Sequence, residues 1–281
     1  MANYTAADIK ALRERTGAGM LDVKKALDEA DGNSEKALEL LRIKGLKGVS
    51  KREDRETTEG LVAVDIRPSD AGETGTIVEL NCETDFVAKN EKFIDLADTV
   101  LAAVVAAGAT DVESALAAPT AEGTVADTIT TLAAGIGEKV VLRRVAAVSG
   151  PKVTSYVHRT AKDLPPTIGV LVVTDEAGAA VGKDVAQHVA ALAPDFLSRE
   201  DVPAEKVDNE RRIAEETARN EGGKKPDHII AKIAENRLGK FFEDVVLLEQ
   251  PLAKDPSKKV GQAAKEAGGT IVSFVRFRVG N

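Results

Sequence analysis

Hydrophobic residues recur at helical spacing in three short segments at the start of the chain. Glycine-containing breaks separate the segments, and Thr5 precedes the first one as a candidate N-cap. The segments are Thr5 to Arg15, Met20 to Ala30 and Ser34 to Ile43. We predict a three-helix bundle over residues 1–45, which buries little surface by itself. A hydrophilic linker over 46–60 would tether this bundle as a docking module.

Beyond the linker, short β-branched runs and longer amphipathic runs predict two related units. Each unit has two strands, then a helix, then a closing strand. The first comprises Leu61 to Ile66, Gly75 to Leu80, Asn90 to Ala107 and Val140 to Val148; the second comprises Ser155 to His158, Gly169 to Thr174, Lys183 to Ala193 and Thr270 to Val279. We predict an α+β fold in which each unit is a small antiparallel sheet covered by helices on one face. The first subdomain would span 61–150, and the second would span 151–199 together with 245–281.

A charged insertion over 200–244 interrupts the second unit. Its arms, Pro203 to Asn220 and Pro226 to Asp244, each begin with proline, whose missing N–H costs nothing at a helix start. Apolar positions are few in the first arm, chiefly Val207 and Ile213, and more frequent in the second. The pattern predicts an antiparallel helical hairpin whose first arm projects into solvent or meets another chain.

The charge balance argues against nucleic acid as the main partner. The chain has 281 residues and a net charge of −8, with 38 basic against 46 acidic residues, whereas binding to a phosphate backbone needs clustered Lys and Arg. Base stacking is also poorly supplied, since aromatic residues make up 3% of the chain and Trp is absent. We interpret the basic run from Lys44 to Arg55 as part of a solvated linker.

Three features predict a cytoplasmic protein that contacts no membrane. The longest nearly continuous apolar run, Val100 to Ala109, is too short to cross a bilayer, and the N-terminus lacks the pattern of a signal peptide. A single cysteine, Cys82, excludes an internal disulfide and fits a reducing compartment. We expect Cys82 to be a small buried strand residue.

Motifs for catalysis, metals or cofactors are missing from the sequence. The histidines at 158, 188 and 228 lie far apart, and none has a second ligand at metal-binding spacing. The segment Gly178 to Asp184 resembles a phosphate-binding loop, but too few residues separate its glycines, and Asp184 replaces the Ser or Thr that would hold Mg²⁺. We interpret it as a hairpin or strand-to-helix turn. We expect no catalytic residue, no metal and no cofactor, with His188 packed and His228 exposed.

The most distinctive stretch is T-I-V-E-L-N-C-E-T-D-F-V-A-K-N, from Thr76 to Asn90. A β-branched strand there leads into a polar turn, which presents the aromatic Phe86 beside the acid Asp85 before the long helix. Binding residues concentrate in such connections between elements. The alternative is that Phe86 is a core residue under the helix, while Thr84 or Asp85 caps that helix.

Two long motifs resemble the signatures of the bacterial elongation factor Ts family. They are L-R-E-R-T-G-A-G-M-L-D-V-K-K-A-L, from Leu12 to Leu27, and E-L-N-C-E-T-D-F-V-A-K, from Glu79 to Lys89. The motifs occur in the family's order, and the resemblance covers nearly the whole chain. It implies a bundle similar to a ubiquitin-associated domain. It also implies guanine-nucleotide exchange on elongation factor Tu, the GTPase that delivers aminoacyl-tRNA to the ribosome, by a factor that binds no nucleotide and is not an enzyme.

The same resemblance implies roles for individual residues. Phe86 would wedge near the nucleotide site of the GTPase, and Asp85 would disturb the groups that hold its Mg²⁺. The residues implied in displacing Mg²⁺ are Thr84, Asp85, Phe86 and Val87; those implied in binding the partner are Leu12, Arg13, Thr16, Gly17, Gly19, Met20 and His158. The hairpin would be a coiled-coil insertion that contacts the partner and, in some members, a second copy, which would allow self-association.

From the residues alone, other interpretations stay open. The glycines between Thr16 and Met20 would then be helix stops only, and His158 would be a polar residue on an edge strand. A non-catalytic adaptor that binds peptides through the bundle would explain the N-terminal segment, but it would leave the stretch from Thr84 to Val87 without a task. An enzyme of unrecognised type would need a cleft with perturbed acids.

Overall fold

The computed structural model describes residues 3–16, 18–221 and 226–280. At its start, three helices pack as a bundle: α1 (Ala6–Thr16), α2 (Met20–Glu29) and α3 (Ser34–Ser50). Thr5 caps α1, since its hydroxyl accepts the N–H of Asp8 at 3.3 Å while its own N–H donates to the Asp8 carboxylate at 2.7 Å. Apolar side chains of all three helices are buried against one another, among them Leu12, Val23, Leu27, Ala37 and Leu41.

The next part of the chain builds a three-stranded sheet with helices on one face. Its elements are β1 (Glu59–Ser69), β2 (Gly72–Cys82), α4 (Asp85–Ala88), α5 (Glu91–Ala107), α6 (Val112–Leu116), β3 (Pro119–Thr120), β4 (Gly123–Thr124), α7 (Val125–Ile136) and β5 (Val140–Gly150). The strand order is β1-β2-β5, and both pairings are antiparallel. The apolar stripe of α5 and one side of α7 are buried against this sheet.

The rest of the chain repeats this arrangement around a second sheet. Its elements are β6 (Lys152–His158), β7 (Ile168–Thr174), α8 (Ala179–Leu192), α9 (Ala204–Asn220), α10 (Asp227–Val245), β8 (Pro251–Leu252), β9 (Asp255–Lys259), α11 (Val260–Glu266) and β10 (Ile271–Arg278). The order is β10-β7-β6, again antiparallel, with α8 and α11 packed on one face. Within the segment Gly178 to Asp184, Gly178 is the N-cap of α8 and the residues from Ala179 onward are helical, so the segment is the start of this helix after β7 and not a hairpin turn. The predicted α+β class with small antiparallel sheets is confirmed.

The two sheets pack directly on each other through the faces that the helices leave open. Two glycines permit the close approach: a Cβ on Gly75 would lie 2.7 Å from Cγ1 of Val153, and one on Gly169 would lie 2.5 Å from Cγ1 of Val62. A shared apolar cluster fills the space between the sheets. As a result, the central strand β7 is buried along its whole length, and the two sheets share this apolar cluster while each keeps its own core under its helices.

The bundle is seated on α7. Helix α3 runs to Ser50, past the boundary predicted at residue 45, so the first part of the predicted 46–60 linker is helical. Gly45 of α3 lies against Ala134, where an added Cβ would come within 2.7 Å of the Ala134 side chain. Gly135 lies equally close to the Thr16 carbonyl, at 2.7 Å for an added Cβ. Glycine normally weakens a helix, but here the two glycines allow the bundle and α7 to pack in close contact.

Helices α9 and α10 form the predicted antiparallel hairpin, and Val207 of the first arm packs, partly buried, against a cluster that includes Leu238 and Phe242 of the second. Ala214 and Ala218 are buried on α9 against Ile230, Ala234 and Leu238 of α10, and Ile213 is 42% exposed. Alanines let two helix backbones approach closely. The turn predicted at residues 222–225 lies outside the described residues.

Candidate partner-binding site

The stretch from Thr84 to Ala88 forms one capped helical turn between β2 and α5. Thr84 is extended, with φ −126° and ψ 155°, and its hydroxyl accepts the N–H of Val87 at 3.4 Å. Asn90 then caps α5, since its side chain accepts the N–H of Lys92 at 2.9 Å. Two caps in succession fix where each helix begins. Of the two capping residues predicted, Thr84 is the one that caps, and it caps α4 rather than the long helix.

Phe86 points out of this turn. Its side chain is 76% exposed, whereas Ala88 is fully buried and Val87 packs partly against the apolar core between the first sheet and its helices. The turn therefore buries Val87 and Ala88 and presents Phe86 to solvent. The alternative in which Phe86 is a core residue is wrong.

A carboxylate from a distant turn holds the capping residue. Glu138 accepts the N–H of Thr84 at 3.1 Å and the Thr84 hydroxyl at 2.6 Å, one donor on each of its oxygens. The neighbouring Glu83 accepts the N–H of Lys139 at 2.7 Å and also pairs with Arg55 at 3.1 Å. The turn between α7 and β5 is thus fastened to the turn that carries Phe86.

Lys89 connects the same turn to the second sheet. Its ammonium lies 3.0 Å from the Asp85 carboxylate, 3.3 Å from that of Asp163 and 5.1 Å from the centre of the Phe86 ring. Hydrogen bonds to Asp85 and Asp163 raise the pKa of Lys89. Asp163 belongs to the loop between β6 and β7, which begins after His158. The turn with Phe86 and the loop after His158 are therefore neighbours.

His158 ends β6, which is an edge strand of the second sheet. Its side chain is exposed, and Nδ1 lies 3.1 Å from the Tyr156 hydroxyl. The two rings stack with centroids 6.1 Å apart. This position agrees with the interpretation of His158 as a polar edge residue, and it leaves the ring accessible to a partner.

The predicted partner-binding residues of the bundle differ in how far they are exposed. Leu12 is 3% exposed and lies in the bundle core, so it supports the surface rather than forming it. Arg13 is exposed, Gly19 is the N-cap residue of α2 and Met20 is 60% exposed. Thr16 is half-buried and donates its hydroxyl to the Leu12 carbonyl at 2.7 Å. Gly17 lies outside the described residues.

The cysteine and the two other histidines of the chain lie outside this site. Burial raises the pKa of the Cys82 thiol to about 12, so it stays a protonated strand residue, as predicted. His188 is fully buried: Nδ1 accepts the N–H of Ala253 at 3.0 Å, and Nε2 donates to Gln250 at 2.8 Å. His228 is exposed, as predicted. Within the described ranges, no group of side chains could hold a metal ion and no helix is long and apolar enough to cross a membrane.

Sequence reasoning missed the residues that hold the site together. Glu138, Lys89 and Asp163 all contact the turn that bears Phe86, yet Glu138 and Asp163 come from separate turns. The one local signal was Lys89, which lies four residues after Asp85 at helical pairing distance. The other two contacts depend on how the sheets bring distant turns together.

Comparison with known proteins gives a consistent picture. The family model described as Elongation factor TS matches residues 83–281. Elongation factor Ts of Beutenbergia cavernae is 60% identical to this chain over 282 residues, which is 100% of both chains. The proteins of the same name from Micrococcus luteus and Kineococcus radiotolerans are each 57% identical, again over 100% of both chains.

Proposed function

The chain belongs to the elongation factor Ts family, and we propose that it is a guanine-nucleotide exchange factor for elongation factor Tu, acting in the cytoplasm. In this role it binds the nucleotide-free GTPase more tightly than the GDP-bound one. Linkage then requires that it weaken the affinity for nucleotide to the same extent. The factor itself binds no nucleotide and is not an enzyme.

The observation that carries the proposal is the exposure of Phe86 on an ordered, capped turn. A ring that is 76% exposed in the free factor has most of its surface left to bury in a complex. A buried aromatic anchor of this kind contributes about 2 kcal/mol or more to an interface. Weakening nucleotide binding by ~10⁴-fold takes about 5.5 kcal/mol of differential affinity. Phe86 therefore supplies part of the effect as a wedge near the nucleotide site.

The remainder comes from a wider interface. The exposed Arg13 and Met20 of the bundle and His158 of the second sheet are the contacts we propose beside Phe86. The hairpin presents Ile213 and Ile229, which are 42% and 38% exposed, to the partner or to a second copy. We propose that the bundle docks on the GTPase, that the paired sheets present Phe86 to it and that the hairpin adds affinity.

Asp85 is the residue that we propose to act on Mg²⁺. It opens α4 beside Phe86, and its side chain is 46% exposed although it pairs with Lys89. Mg²⁺ is usually held by one or two protein carboxylates, with phosphates and waters completing its shell. A carboxylate brought to this shell competes for the waters and for the groups that hold them.

The exchange proposal is tested by the release of a fluorescent GDP analogue from purified elongation factor Tu. Adding the wild-type chain should accelerate release, with a rate that saturates as the chain is increased. A peptide-binding adaptor would bind the GTPase or another protein without changing this rate. Unchanged release at saturating concentration would overturn the proposal.

The role of Asp85 is tested by the variant Asp85→Asn across a Mg²⁺ titration. At millimolar Mg²⁺ the variant should release GDP more slowly than wild type, because the ion then contributes to holding the nucleotide. With Mg²⁺ chelated, that barrier is gone and the two rates should converge. A deficit of equal size at all Mg²⁺ concentrations would contradict ion displacement and leave Asp85 as an ordinary contact.

A further inference from the structure

We propose that Glu138 is a positioning residue for nucleotide exchange: its carboxylate sets the helical turn that presents Phe86. The inference rests on the proposed exchange function, and it concerns a residue that lies outside both sequence motifs. Glu138 follows α7 in the turn that leads to β5. Of the four residues from Thr84 to Val87, it is Thr84 that Glu138 hydrogen-bonds.

One carboxylate takes both donors of the capping residue. The Thr84 N–H donates to Oε2 at 3.1 Å, and the Thr84 hydroxyl donates to Oε1 at 2.6 Å. With its proton committed to Glu138, the hydroxyl oxygen has a lone pair free for the N–H of Val87 at 3.4 Å. A threonine hydroxyl can otherwise rotate to other partners. Glu138 therefore selects the arrangement in which Thr84 caps α4.

The turn that carries Glu138 is itself firmly placed. Gly137 ends α7 with φ 81°, a left-handed conformation that glycine adopts without strain. The next residue, Lys139, donates its N–H to the Glu83 carboxylate at 2.7 Å. Glu83 directly precedes the capping residue Thr84. Strands β2 and β5 pair beside these turns. The carboxylate is thus held opposite Thr84 by the sheet and by the end of α7.

Loss of this carboxylate would free the turn. The Thr84 N–H would lose its partner, the hydroxyl would rotate, and a helix of four residues has little else to fix its start. In the bound complex, Phe86 would then spend only a fraction of its time in the orientation that enters the GTPase, and the release rate at saturating factor would fall to about that fraction of the wild-type rate. A hydrogen bond to a charged group is worth enough to change such a population about tenfold or more.

The test compares Glu138→Ala and Glu138→Gln with wild type in the GDP-release assay. We expect the maximal rate at saturating factor to fall about tenfold in Glu138→Ala. The Gln variant should lose less, because its amide oxygen still accepts one of the two bonds. In a Thr84→Val background, Glu138→Ala should reduce the rate less than it does in the wild-type background, since the hydroxyl bond is already gone and only the Thr84 N–H bond remains to be lost. The exposed Glu113 on α6 offers a control, and Glu113→Ala should leave the rate unchanged.

A second measurement works without the GTPase. Hydrogen exchange of backbone amides in the free chain should show faster exchange of the Val87 N–H in Glu138→Ala, with the amides of α5 unchanged. This pattern reports the loss of the cap rather than a general loss of stability.

Several results would overturn the positioning role. One is a maximal rate that stays at the wild-type value. Another is a rate loss that disappears at higher factor concentration or that matches a general drop in unfolding temperature. Unchanged exchange of the Val87 amide would also overturn it. If the wild-type chain failed to release GDP, the exchange proposal would fall, whereas the amide measurement would still report whether Glu138 sets the turn.

Discussion

Replacing Phe86 with Ala should separate stability from activity. Full burial of a Phe side chain is worth about 1.5–3 kcal/mol, and with 76% of the side chain exposed about a quarter of that is realised in the free chain. The contact with the Lys89 ammonium adds about 0.5–1 kcal/mol at an exposed site. Phe86→Ala should therefore cost about 1 kcal/mol of unfolding free energy.

The effect on exchange should be larger. The rest of the ring surface is available for burial in the complex, and an aromatic anchor supplies about 1.5–3 kcal/mol there. At 1.4 kcal/mol for each factor of ten, the maximal GDP-release rate should fall about 10- to 100-fold. Stopped-flow release with saturating factor measures this rate, and denaturant unfolding of the free variant measures stability.

Phe93 provides the matched control. It lies on α5 a short distance after Phe86 but is 1% exposed, so Phe93→Ala should cost about 3–5 kcal/mol of stability. If Phe86→Ala destabilised the chain by as much as Phe93→Ala, the exposure of Phe86 would be contradicted. An unchanged release rate in Phe86→Ala would refute the wedge.

Two further predictions concern the framework. Gly135→Ala should loosen the bundle, because its Cβ would lie 2.7 Å from the Thr16 carbonyl; Gly239→Ala, with nothing within 4 Å, should stabilise α10 by up to about 1 kcal/mol. Limited proteolysis of the segment between α3 and β1 measures how firmly the bundle is held in each variant, and denaturant unfolding measures stability. If Gly135→Ala stabilised the chain as much as Gly239→Ala, the close contact between the bundle and α7 would be contradicted. Burial lowers the pKa of His188, so its stabilising contribution is present above the unfolded pKa of about 6.5 and is lost as pH falls toward its folded value. His188→Gln should flatten the pH dependence of unfolding in that range, and an unchanged pH dependence in this variant would contradict the role of the buried ring.

Periodicity predicted the elements well because each buries one face of its own. The stripe on α5, the duplicated strand pairs and the hairpin all follow from local spacing of apolar residues. The length of α3 could not be predicted in this way, since a glycine such as Gly45 locally favours the end of a helix. Its neighbour Ala134 turns that glycine into a contact between helices. Likewise, Gly75 and Gly169 gave no local sign that two sheets would share an apolar cluster.

In the candidate site, too, a contact between distant segments decides what local sequence leaves open, here the orientation of a single helical turn. In D-F-V-A, either Phe86 or the pair Val87 and Ala88 could face the core, depending on where the helix begins. Moving the cap from Thr84 to Asp85 would rotate the turn by roughly 100° relative to β2, because an α-helix has about 3.6 residues per turn. Local sequence offers both residues as caps. Glu138, 54 positions further along the chain, contacts Thr84 and so fixes the start. The exposure of Phe86 is therefore set by a long-range contact, which explains why a local reading of the motif left both orientations open.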